Sequence, residues 1–154
     1  MANNQECVVE LTDVFSVYGH ASFYATLFEM ELVALIQTVM PTASVRRSEW
    51  EQIDAKLRKF TLGPLKRELQ KHVALDDDFE NYLEQMIELR NFLTHHFYED
   101  HLLDLQTDTG RKRVLDELKI ICVRLKNVCD NVRAIYRKIA KDDFGFDTDF
   151  LKQT

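Results

Sequence analysis

A chain of 154 residues is one domain long, enough to bury about 68–70% of its unfolded surface around a single hydrophobic core. Its four glycines and two prolines are too few turn-forming residues for a sandwich or barrel of many short strands. Its formal net charge of −6 argues against coating nucleic acid through bulk electrostatics, which needs a broad Lys/Arg surface, but leaves room for a small local anion site.

The opening residues, Met1 to Glu6, carry neither a basic region nor an apolar run before a cleavage site, so no signal peptide is expected. No apolar stretch reaches eighteen uninterrupted residues, and a cytoplasmic protein with no membrane span is expected. Between about Asp13 and Val39, residues Phe15, Tyr18, Ala21, Tyr24, Ala25, Phe28, Leu32, Leu35, Ile36 and Val39 recur at three and four, which predicts one long helix. Phe23, Leu27, Met30 and Val33 widen its apolar face, and only Glu29 and Glu31 interrupt it. Pro41 ends it, because the residue before a proline is pushed out of the helical region.

Ser48 with Glu51 three residues later has the pattern of a capping box, opening a short helix on Trp50, Ile53, Leu57 and Phe60. Thr61-Leu62-Gly63-Pro64 turns into a second short helix with Pro64 in its first turn and Leu65, Leu69 and Val73 inward. Asp76-Asp77-Asp78 places acid at the positive end of a further helix, predicted from about Asp77 toward Leu105. After the break at Thr107-Asp108-Thr109-Gly110, a last helix is predicted from about Arg111 to Lys141. Its row of Val114, Leu118, Ile121, Leu125, Val128, Val132, Ile135 and Ile139 is flanked by Leu115, Cys122, Cys129 and Tyr136, too wide a stripe for a bare two-stranded coiled coil. The fold expected is therefore all-α: an up-down, antiparallel bundle of four to five helices in a single domain over residues 1–154, with 142–154 as a flexible or docked tail. Cys7, Cys122 and Cys129 read as small apolar residues in a reducing compartment, with no adjacent histidine to mark a nucleophile.

Chemistry concentrates in Leu89 to Tyr98. At about 100° per residue, Phe79, Leu83, Met86, Leu93 and Phe97 fall within about 40° of a common line, and Arg90 falls in the middle of it. A guanidinium at a core position needs a partner, and three are open: an acid such as Glu29, which likewise interrupts its own helix face, an anionic ligand, or another subunit. Asn91 and His95, four apart, share the neighbouring face, so that Asn91 can orient the imidazole. A fixed cation beside a group titrating near neutrality suits attack of a ribose 2′-hydroxyl on its adjacent phosphodiester, with the histidine moving the proton and the arginine stabilising charge on phosphorus. That chemistry needs no metal or cofactor. His95, His96, Glu99, Asp100 and His101 include donor types for zinc, but only His96 and Asp100 have a suitable helical spacing, so no metal is expected. His96 and the basic run Arg111-Lys112-Arg113 are candidate substrate contacts for the flanking RNA backbone; Arg46-Arg47 is the other basic pair.

At Arg90, Asn91, Phe92-Leu93-Thr94 and His95 the chain resembles the HEPN superfamily (higher eukaryotes and prokaryotes nucleotide-binding), all-α domains sharing an arginine, a polar residue, three residues and a histidine. Gly19-His20-Ala21 through Phe28-Glu29 and Leu32, and then Thr61-Leu62-Gly63, are similar to a subgroup of these proteins in the same order along the chain. The resemblance implies a homodimer whose two motifs line one cleft, and metal-independent RNA cleavage by Arg90 and His95 with Asn91 supporting, often as a toxin or defence effector. One toxin subgroup carries a tyrosine two residues after the motif histidine, the target of an antitoxin; that position is Phe97 here, with Tyr98 next. A non-catalytic regulator binding nucleotide, RNA or a partner protein through the same cleft is the alternative the resemblance allows.

Overall fold

The computed structural model describes residues 8–40 and 45–144. They form six α-helices: α1 (Leu11–Val39), α2 (Arg47–Leu57), α3 (Leu62–Gln70), α4 (Asp77–His95), α5 (Phe97–His101) and α6 (Asp108–Phe144), with a single 3-10 turn at Asp104–Gln106 before the last. No strand occurs among the described residues, and the protein is an all-α bundle. Cys7 and the tail from residue 145 onward lie outside them.

Local chemistry sets the helix ends. Asp76 Oδ1 accepts the Phe79 amide at 2.9 Å, capping α4 as its triple aspartate suggests. Met40, just before Pro41, is extended at φ −70°, ψ 139° and stops α1. For α2 the cap lies two residues earlier than the Ser48 pattern predicts: Arg46 is the N-cap, and Glu49 Oε2 accepts its amide at 3.2 Å. Glu49 satisfies the orphan amide and is also drawn to the Arg46 guanidinium at 2.9 Å, which outbids the hydroxyl of Ser48.

The partners of each helix fix its direction. Val9 meets Asp108, Tyr24 meets Cys129 and Glu31 meets Arg133, so α1 and α6 lie side by side and run the same way. Tyr18 meets Leu93 and Glu29 meets Arg90, so α4 runs against α1; Lys66 and Gln70 meet Glu84 and Glu80, so α3 runs against α4. α3 and α6 thus run with α1, and α4 runs against all three.

The core has two halves. One joins Phe28, Leu32 and Ile36 of α1 to Leu57, Leu62, Leu65, Leu69, Leu83, Met86, Val128 and Val132; the other joins Val14, Ala21 and Ala25 to Leu93, Phe97, Val114, Leu118, Ile121 and Leu125. The predicted α6 row is thus buried in its first six members. On α1 the prediction is too wide: Phe15, Phe23 and Met30 are 52%, 61% and 53% exposed. Val33 of that wider face is buried and Leu27 partly so, while α3, α4 and α6 leave Phe15, Phe23 and Met30 uncovered.

The motif helix also differs from expectation. It does not run on to Leu105 but breaks at His96 (φ −122°, ψ −19°), where α5 begins. Aromatic packing beyond the break holds α5 in place: Phe97 is buried, and Tyr98 lies 4.6 Å from Tyr18 and 6.1 Å, edge to face, from Phe15, ring centre to ring centre. The chain then passes so close to α6 that a Cβ on Gly110 would stand 2.0 Å from the Asp104 carbonyl oxygen. Gly19, in the middle of α1, faces open space. The two glycines should therefore respond oppositely to alanine in chemical denaturation: Gly110→Ala lowers stability by about 1–3 kcal/mol through overpacking against backbone, whereas Gly19→Ala raises it by about 1 kcal/mol through helix propensity.

Candidate functional site

The last two turns of α4 carry the motif at the end of the bundle where Tyr18 of α1 donates its hydroxyl to the Leu93 carbonyl at 3.0 Å. Leu93 is buried on this helix and Phe97 just beyond it, so α4 is pinned in rotation, and the polar residues between them are distributed by the helical period. Arg90 falls at the edge of the buried line with 17% of its side chain exposed. Its Nη2 donates to Glu29 Oε1 on α1, a carboxylate 28% exposed. Its Nη1 donates to Asn91 Oδ1 at 3.2 Å.

Asn91 is thereby turned toward Arg90, and the expected contact from Asn91 to His95 is not made. A hydrogen bond from a charged guanidinium is the stronger kind, which favours the contact with Arg90. His95 is exposed, and none of the described residues hydrogen-bonds its ring, which lies 6.4 Å from the ring of His96. His96 is also exposed, with Nδ1 4.0 Å from Glu99 Oε2. Thr94 returns its hydroxyl to the Arg90 carbonyl at 2.9 Å and so faces away from the guanidinium.

The basic run at the start of α6 is occupied by the fold. Arg111, 18% exposed, donates Nε to the Val9 carbonyl at 2.5 Å and Nη1 to the Leu105 carbonyl at 3.2 Å, tying the segment before α1 to the 3-10 turn. Lys112 pairs with Asp108 at 3.2 Å and Arg113 with Asp104 at 2.6 Å. The three residues expected to contact RNA thus form a structural knot, in which Asp104 and Asp108 bring two carboxylates within reach of three cations. The sequence signal was present in those two aspartates, each within a helical turn or a short loop of its partner.

Two features lie outside the sequence reading of the site. His101, mostly buried, rests its ring 4.7 Å from that of Phe97, with Nδ1 3.5 Å from Asp104 and Nε2 3.1 Å from Glu117, so it packs α5 against α6. Glu31, 6% exposed, accepts from Arg133 Nε at 2.7 Å, and its charge together with burial raises the thiol of Cys129 to about 12, burial being the larger cause. Cys129 is therefore a thiol, not a thiolate, near neutral pH. Among the described residues no three His, Cys, Asp or Glu side chains come together as metal ligands, and no helix is long and apolar enough to cross a membrane.

No family model, no curated protein and no solved structure matches this chain.

The knot has a pH signature. The Val9 amide donates to Asp108 Oδ1 at 2.8 Å, and this bond, followed by Lys112, holds the Asp108 carboxyl below the usual aspartate range. A depressed carboxyl stabilises the fold above its unfolded value of about 3.9 and loses that contribution as pH falls through the lower folded value. Acid titration followed by circular dichroism should show Asp108→Asn less stable than wild type at neutral pH, the difference closing below about pH 4.

Proposed function

We propose that this chain is a HEPN-like, metal-independent endoribonuclease of the cytoplasm that acts as a homodimer, in a toxin or defence setting. The observation that carries the reading is the joint presentation of Arg90 and His95 on the last two turns of α4, one fixed by its neighbours and the other open to solvent. The HEPN-type spacing of Arg90, Asn91 and His95 points the same way. In this mechanism the His95 imidazole removes the proton of a ribose 2′-hydroxyl, whose oxygen attacks the adjacent phosphorus. The Arg90 guanidinium stabilises the charge of the pentacoordinate phosphorus, and the 5′-oxygen leaves with a proton returned by imidazole. The products are a 2′,3′-cyclic phosphate and a 5′-hydroxyl.

The outward stripe of α1 supports the dimer. Leu11, Phe15, Gly19, Ser22, Phe23, Thr26 and Met30 follow one another along it without a charged residue, and a second copy would cover its exposed aromatic and methionine side chains.

The pairing of Arg90 with Glu29 favours a second reading, in which the same end of the bundle binds nucleotide, RNA or a partner protein without catalysis, because a neutralised guanidinium offers less to a transition state. Cleavage of RNA by purified protein separates the two. The enzyme reading expects cleavage that survives EDTA, leaves cyclic phosphate ends and falls by about 10²–10⁴-fold in His95→Ala and in Arg90→Ala. A folded dimer that leaves structured and unstructured RNAs intact, yet binds them in an Arg90-dependent way, overturns it in favour of the binding module.

A further inference from the structure

The two terminal nitrogens of Arg90 are the prongs with which a guanidinium grips a phosphate, and both are occupied by acceptors of the chain itself: Nη2 by the Glu29 carboxylate, Nη1 by the Asn91 amide oxygen. The two acceptors differ in kind. Asn91 is neutral and exposed, so it yields to an anion at little cost. Glu29 brings a full negative charge against the place a phosphate would take. Because both members of the pair are more than two-thirds covered, that repulsion acts through a medium less screening than bulk water.

Glu29 also has somewhere to go. It lines a pocket of about 220 Å³ between α1 and the α2–α3 corner, together with Thr26, Met30, Leu57, Phe60 and Arg58. Arg58 gives its Nε to Asp54 at 2.7 Å, so its terminal nitrogens remain for a second carboxylate among the described residues. The α1 glutamate is thus paired with one guanidinium and lines a pocket together with another.

We propose that Glu29 gates the Arg90 anion site: at rest its carboxylate occupies the guanidinium, and phosphate is admitted when Glu29 turns into the pocket toward Arg58. The gate rests on the reading of Arg90 as a phosphodiester site, and extends it by assigning the residue that controls access. Glu29 is a positioning residue here; it touches Arg90 and not the substrate. Its carboxylate and an incoming phosphate exclude one another, so whatever draws Glu29 away raises affinity for RNA.

The test is titration of ¹⁵N-labelled protein with inorganic phosphate, followed at the Arg90 Nε–Hε signal, which is assigned by its loss in Arg90→Ala. Glu29→Gln keeps an oxygen acceptor for the guanidinium and removes the charge; it should bind phosphate about tenfold more tightly than wild type. Arg58→Ala should weaken phosphate binding several-fold in the wild-type chain and have no effect in the Glu29→Gln background. If Glu29→Gln fails to fold, Glu29→Asp, shorter by one methylene, should still tighten binding, though less. A glutamate with a purely structural role would give a lower melting temperature with an unchanged phosphate Kd, and that result overturns the gate. RNA cleavage measured on the same variants keeps the two ideas apart. Tighter phosphate binding without cleavage leaves the gate standing and removes the enzyme, whereas cleavage by wild type with no gain in Glu29→Gln does the reverse.

Discussion

The arrangement of the bundle depends on what α1 does with two glutamates. Glu31 is almost wholly buried, and a carboxylate in that position must be matched by a cation with good geometry. Arg133 supplies two nitrogens to the same oxygen, and Tyr136 packs beside them, its phenol pushed up first by burial and then by Glu31. Sliding α6 along α1 by one turn would strand this charge, so the pair selects one register from the several that a Leu/Val/Ile seam would tolerate. Glu29, two residues earlier and turned to the other side, does the same for α4 through Arg90. Both pairs start from α1, and the candidate site includes the second of them.

The surface charge follows from the same economy of partners. Most of the cations are already matched within a helical turn or across one helix contact: Lys66 lies between Glu80 and Glu84, Lys126 beside Asp130, and Arg113 beside Asp104. Exposed pairs of this kind add little to stability, with a typical range of about 0–1 kcal/mol. Their larger effect is on recognition, because a cation with a carboxylate beside it presents no net attraction to a phosphate chain. Arg90 is matched in the same way, by Glu29, whereas His95 is exposed with no such partner among the described residues.

Much of this was readable from residues alone, and the failures share a cause. The buried row of α6, the Asp76 cap, the stop before Pro41 and the anomaly of Arg90 among core residues all depend on periodicity or on chemistry within one turn, which a sequence displays directly. Glu29 is legible in the same way as a partner for Arg90, because both interrupt an apolar face. What was not readable depends on which neighbour reaches a side chain first. Ser48 lost the α2 cap to the Glu49–Arg46 pair, Asn91 turned to Arg90 instead of His95, and Arg111 was taken by the carbonyls of Val9 and Leu105. The break at His96 belongs to the same group, since α5 beyond it is held by Tyr18 and Phe15, which lie some eighty residues away in sequence. The exposure of Phe15, Phe23 and Met30 was hidden for a different reason: apolar composition does not say how many neighbours a helix has.

The parallel course of α1 and α6 carries a consequence for how the chain reaches this state. The contacts that join them span 99, 102 and 105 residues of sequence, whereas most helical bundles are built from near neighbours and fold correspondingly fast. Closing so long a loop costs entropy before any of its contacts form. During synthesis α1 is made well before α6, and the seam between them stays uncovered until α6 has followed. The half of the core that uses α2, α3 and the start of α4 takes three of its fifteen buried residues from α6, whereas the half beneath the Arg90–His95 end takes four of its nine. That end of the molecule is therefore the less complete of the two until α6 is in place.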